Sequence, residues 1–174
     1  VRTIKSLETS IGQSPPQRSD QVALGHLLTT CALFEYRLGQ YELAQANLKR
    51  SMDILRPLNE ARILVESITF LGVVMILTGN FDKALELFSE GLERATEVGD
   101  RFFAAMCLTE KVNVALMVGK TENAYERLQS AVAEWRIIGD PRFTAFTLNI
   151  LSQSALILGR YDEARTALEE SVAL

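Results

Sequence analysis

The 174-residue chain carries 18 basic and 22 acidic side chains, a net charge of −4, which argues against a surface that tracks nucleic-acid phosphates. Hydrophobic residues make up 48% and charged ones 23%, the balance of a soluble globular protein rather than a disordered one. The longest apolar run, Phe70 to Leu77, falls far short of the roughly 20 residues that span a bilayer. No signal peptide is visible, so a cytoplasmic setting without membrane contact is expected.

In chain order, VRTIKSLETSIG reads as the second helix of a preceding unit closed by Gly12, and QSPPQRSD as a loop in which Pro15 and Pro16 forbid helix. Together these residues, 1–20, form a partial unit. The chain opens on Val1 rather than Met, as expected of an excised fragment. From residue 21 a period of forty takes over. One phrase recurs as GQYELA at 39–44, GNFDKA at 79–84, GKTENA at 119–124 and GRYDEA at 159–164. A second runs in the same period as Asn59-Glu60, Gly99-Asp100 and Gly139-Asp140. A period of this size marks a stacked array in which each unit buries its apolar face on its neighbours. Four units follow over 21–174: 21–60, 61–100, 101–140 and 141–174.

Each unit reads as two helices, in the third over about 101–118 and 121–138. The glycines supply the left-handed residue that closes a helix, and Asn59 is the best substitute for one. Asp100 is placed to cap a helix, and Asp140-Pro141 is the clearest start signal in the chain. Glu42, Asp82, Glu122 and Asp162 fall in the first turn of each second helix, where they complement the helix dipole. Pro57 marks the end of the second helix of the first unit.

Apolar residues keep helical spacing throughout. Ala44, Ala84, Ala124 and Ala164 sit where helices approach closely, with Leu48, Phe88, Leu128 and Leu168 filling the layer one turn later. Leu28, Ile68, Leu108 and Leu148 hold one register of the first helices, and Trp135 reads as core. Cys31 and Cys107 show no metal or redox spacing and read as core filler. His26 has no nucleophile partner, the acid pairs Asp162/Glu163 and Glu169/Glu170 lie on exposed faces, and no phosphate loop is present. No enzyme activity, metal or cofactor is expected.

The segment Gly-x-aromatic-acid-x-Ala, with a large apolar residue four positions after the alanine and a small one three further on, resembles the tetratricopeptide repeat. The later pairs are Leu48/Ser51, Phe88/Gly91, Leu128/Ala131 and Leu168/Ser171. The resemblance covers about residues 20–174, with two departures: a period of forty rather than the usual thirty-four, and Thr121 in place of the aromatic. Forty-residue variants look like those in bacterial regulators of the MalT type, in eukaryotic polarity adaptors and in kinesin light chains. The implied fold is all-α, a right-handed solenoid.

The resemblance also implies that the first helices line a concave groove. Carried over, its register gives the ladders His26, Glu66, Met106, Phe146; Thr29, Thr69, Thr109, Asn149; and Leu33, Val73, Asn113, Gln153, followed one turn later by Tyr36, Ile76, Leu116 and Leu156. The expected groove residues are Leu33, Tyr36, Glu66, Thr69, Val73, Ile76, Thr109, Asn113, Asn149 and Gln153. Apolar anchors of a partner would sit on Leu33, Tyr36, Val73 and Ile76, while hydroxyls and amides bond its polar groups. These ladders hold no lysine or arginine, so the family's carboxylate clamp finds little support. The leading expectation is a protein- or peptide-binding module of a larger bacterial signalling or transcription-regulating protein. Two rivals are a small-molecule inducer sensor, with a closed pocket around Asn113 and Gln153, and a spacer that self-associates through its ends. The fourth unit stops at Leu174 with no polar capping helix, as expected of a chain cut from a longer array or of ends that pair with something.

Overall fold

A computed structural model describes residues 17–121 and 123–174. The helix and loop expected over residues 1–16, and the first-turn acid Glu122, lie outside the described residues. Among the described residues eight helices follow one another: α1 (Arg18–Arg37), α2 (Tyr41–Leu55), α3 (Ala61–Leu77), α4 (Phe81–Glu97), α5 (Arg101–Met117), α6 (Ala124–Ile138), α7 (Pro141–Ile157) and α8 (Tyr161–Ala173). Among the described residues there is no strand.

The corners are set where the repeat places them. The six corner glycines, from Gly39 to Gly159, have φ between +70° and +80°, and Asn59 stands at +54°. At each of these glycines an added Cβ would meet nothing within 4 Å, so the backbone angle, not lack of space, calls for glycine. The Asp100 carboxylate accepts from Phe103 N–H at 3.2 Å and so caps α5. Asp140 accepts from Arg142 N–H at 3.0 Å and Phe143 N–H at 3.2 Å, with Pro141 opening α7.

Two boundaries differ from expectation. Helix α1 begins at Arg18 rather than at 21, so Arg18, Ser19 and Asp20 are helical and not loop. The Arg18 guanidinium donates to the Leu58 carbonyl at 2.9 Å and the Glu60 carboxylate at 2.8 Å, anchoring this early turn to the next corner. Helix α6 begins at Ala124 rather than at 121. Thr121 stands where Tyr41 and Phe81 open α2 and α4 and pack on the core. Without that ring the first turn is lost, and Asn123 takes a left-handed φ of +54°.

Each helix packs on its chain neighbours, and each first helix of a pair also touches the next first helix: α1 on α3, α3 on α5, α5 on α7. Second helices touch only the first helices beside them. The first helices therefore form the short inner side of a curved array, and the second helices its outer side. The apolar layers between them contain the fully buried Leu48, Phe88, Leu128 and Trp135, and all four motif alanines are buried. Close approach also fixes Gly72, where a Cβ would lie 2.7 Å from the buried Phe88 ring.

These two kinds of glycine separate under substitution. Gly79→Ala meets only the left-handed backbone penalty of about 1 kcal/mol, and Gly79→Asn loses less, as the Asn59 corner shows. Gly72→Val forces a side chain into a filled core and costs about 2 kcal/mol. Urea unfolding midpoints check the order; a Gly72→Val protein as stable as the parent contradicts the packing described.

Candidate functional site

One cavity of about 330 Å³ is lined by all four first helices and by none of the second. Tyr36 and Arg37 come from the last turn of α1, Phe70 and Val73 from the middle of α3. Helix α5 adds Phe102, Met106 and Glu110. Helix α7 closes it with Arg142, Phe143 and Phe146. Since the first helices form the inner side, this cavity is the centre of the concave groove.

Its walls are a chain of aromatic contacts. Tyr36 lies against Phe70 with ring centroids 6.3 Å apart, and Phe70 meets the edge of Phe103 at 6.4 Å. Phe102 contacts Phe143 edge-on at 5.4 Å, and Phe143 stacks on Trp135 at 4.6 Å. Such pairs contribute about 1 kcal/mol each beyond the area they bury. The walls are thus pre-formed. Trp135 itself is fully buried, its indole N–H donating to the Thr109 hydroxyl at 3.0 Å, so the core role expected of it holds.

Glu110 is the chemical exception among these residues. Its side chain is 9% exposed in an apolar setting, and its one hydrogen-bond partner among the described residues is the Asn113 amide at a long 3.3 Å. Burial pushes its carboxyl above the usual carboxylate range, with the Asn113 bond opposing. One repeat earlier, the half-buried Glu66 carboxyl is also raised, by burial and, more weakly, by Asp100, with His26 opposing. Arg142 at the rim is held by Asp140 at 3.0 Å and does not neutralise Glu110.

The expected groove residues divide. Tyr36 and Val73 line the cavity. Leu33 and Ile76 are half-buried, Ile76 packing on the core cluster that runs from α1 to α5. Glu66 on α3 and Asn113 on α5 are half-buried, and exposed Asn149 and Gln153 bond each other at 2.9 Å. Asn113 and Gln153 do not line the cavity.

Thr69 and Thr109 need correction. Both are buried, Thr69 bonding the Val65 carbonyl and the Cys107 thiol, Thr109 bonding Trp135 and Thr147. Their hydroxyls are used where helices meet and are not offered to a ligand. The inner face instead carries the next position along, Phe70 and Glu110. From Glu66 or Met106 the step to the same face is four residues, not three, before Val73 and Asn113 follow. An acid at the position forty residues after a groove phenylalanine was the available signal.

A second hollow, about 390 Å³, lies between α6, α7 and α8. It is larger, yet its charged groups are already engaged: Arg136 with Glu170, Arg165 with Asp162, and Arg160 over the Tyr125 ring at 4.6 Å. Among the described residues no cluster of three or more His, Cys, Asp or Glu is placed to hold a metal ion, and no helix is long and apolar enough to cross a membrane.

Residues 25–97, the first two helix pairs, match the tetratricopeptide repeat family model. The fold is a tetratricopeptide-like solenoid. No curated protein matches the chain. Among solved structures, BtubC from P. vanneervenii shares 17% identity with a TM-score of 0.78, over 99% of this chain and 69% of that one. A Rap protein complexed with competence and sporulation factor shares 16% identity with a TM-score of 0.80, over 98% of this chain and 46% of that one. A signal-transduction ATPase of the STAND class with a tetratricopeptide repeat sensor, from Pyrococcus horikoshii, shares 19% identity with a TM-score of 0.75. That alignment covers 97% of this chain and 25% of the ATPase. The chain thus spans less than half of the Rap protein and a quarter of the ATPase.

Glu110 yields a pH signature. Its native carboxyl holds a proton more tightly than the unfolded chain does, so this group's effect on stability is most favourable below the ordinary carboxylate pKa. Stability is then lost as pH rises from that value through the raised one. Glu110→Gln therefore melts at a higher temperature than the parent at pH 7, and the gap closes towards about pH 4. Circular-dichroism melts across that range check it; a variant less stable at pH 7 would show that the carboxylate has a compensating partner.

Proposed function

We propose that this chain is a protein- or peptide-binding module whose inner groove seats a segment of a partner, within a larger bacterial signalling or transcription-regulating protein. The observation that carries the reading is the aromatic-walled cavity shared by all four first helices. An apolar floor with few polar groups suits a segment that buries side-chain anchors. Tyr36, Phe70, Val73 and Met106 supply that floor, and Phe143 and Phe146 close its far side. Phe146 is 40% exposed, a surface ring in reach of a partner. The fold keeps suitable company: one solved neighbour was crystallised with the competence and sporulation factor, and another carries its repeats as a sensor.

A second reading, a small-molecule sensor, draws on the cavity volume, which lies at the lower end of the range for ligand pockets, about 300 Å³ upwards. The peptide reading is favoured because the cavity is an open stretch of a longer groove that runs across four helices.

The test begins with a displayed random-peptide library panned on the folded chain, followed by titration calorimetry with the enriched peptides. Val73→Asp, in the floor, weakens binding by at least about thirtyfold. Leu43→Asp, on the outer helix α2, leaves it unchanged. Circular dichroism establishes that each variant is folded. No enriched peptide, or equal affinity for parent and Val73→Asp, overturns the proposal.

A further inference from the structure

The groove reading leaves open what the partner presents to Glu110. This carboxylate is 9% exposed and lines the cavity, beside Phe70, Met106 and Phe146 on neighbouring turns and helices. Among the described residues no cation lies within ion-pair distance of it, and its one amide bond, from Asn113, is long. A buried carboxylate with no cation is costly, and a well-placed complementary charge offsets much of that cost. The aromatic walls point the same way, since ring faces attract cations and do so most strongly where water is excluded. Glu66 adds a second half-buried acid on the same face one repeat away. The rim arginines do not supply the missing charge: Arg142 is tied to Asp140, and Arg37 makes no ion pair with Glu110.

Resting on the groove reading, we propose that the cavity around Glu110 is a recognition pocket for an organic cation, an alkylammonium or guanidinium group supplied by a lysine or arginine side chain of the bound segment. The cation's head meets the Glu110 carboxylate, and its methylenes lie against Met106 and the phenylalanine faces. A volume of about 330 Å³ admits one such side chain with room for water. A free small amine carries the same chemistry, and the experiment separates the two sources.

The probes are N-acetyl-lysine amide and N-acetyl-arginine amide, with the uncharged N-acetyl-norleucine amide as control. Each is titrated into isotope-labelled parent protein and the Glu110→Gln variant, followed by amide NMR shifts. Saturable shifts centred on Phe70, Met106 and Glu110 are expected with the basic amides, at least tenfold weaker with norleucine amide or in the variant. Equal responses overturn the proposal. The second arm uses the peptides enriched on the parent. A basic residue is expected at one fixed position, and replacing it with norleucine weakens binding at least tenfold to the parent but not to Glu110→Gln. Losses that simply add across the two changes overturn the inference.

The two proposals fail separately. Peptides that bind, need Val73 and ignore the lysine-to-norleucine change leave the groove reading standing and remove the cation pocket. Basic amides that bind in a Glu110-dependent way while no peptide is enriched keep the pocket, assign it to a free amine, and remove the peptide reading.

Discussion

Every twentieth residue from 39 to 159 turns the chain with a left-handed backbone, six times as glycine and once as Asn59. The rest of the architecture depends on that spacing. It fixes α3, α4, α5 and α7 at 17 residues each, so residues forty apart occupy equivalent places on successive first helices. Contact between those helices then sets equivalent residues side by side as ladders on the inner face. Where the spacing is disturbed, the consequence is local. Asn123 adds one left-handed residue after Gly119, and α6 gives up its first turn while α7 resumes the register at Pro141. An array held by nearest-neighbour contacts absorbs such a fault without passing it on.

The joints between helices are polar as well as apolar. Thr29, Ser51 and Ser67, from three successive helices, bond one another within 2.7 to 3.1 Å in a buried cluster. One repeat on, the cluster becomes Thr69 with the Cys107 thiol; after that, Thr109 with Trp135 and Thr147. Small residues at 51, 91, 131 and 171 let the outer helix come close enough for this, and a Cβ on Gly91 would stand 2.7 Å from the Cys107 sulfur. Cys107 is a packing group there: burial pushes its thiol up to about 11, which leaves it protonated and unreactive at neutral pH.

This joint chemistry explains what the sequence could and could not reveal. The corners were legible because a positive φ leaves its mark on a single residue, and the caps because Asp100 and Asp140 bond amides only a few positions ahead. The start of α6 was not, because Thr121 weakens the turn without forbidding it. The groove was half legible. Tyr36 and Val73 line the cavity, but threonine misled the choice between adjacent registers. A threonine can be buried cheaply, since its hydroxyl bonds the carbonyl four residues back, as Thr69 does with Val65 at 2.8 Å. Polarity therefore did not separate Thr69 and Thr109, which face a joint, from Phe70 and Glu110, which line the groove.

Glu110 sits where a scaffold concerned only with stability would place an aliphatic residue, as the same register does with Ile150, itself buried. Several acids elsewhere are matched: Glu60, Glu90, Asp100, Glu134 and Glu170 each meet an arginine, and Glu90's carboxyl is held below the usual range by Arg56 and Arg94 against the pull of burial. The contrast is chemical rather than a matter of exposure alone. Pairs such as Arg56–Glu90 and Arg136–Glu170 join one repeat to the next and are already formed in the free protein. Glu110 on the inner face has no such arginine, and under the proposed function its place beside the aromatic cavity reflects what binds there rather than the needs of the fold itself.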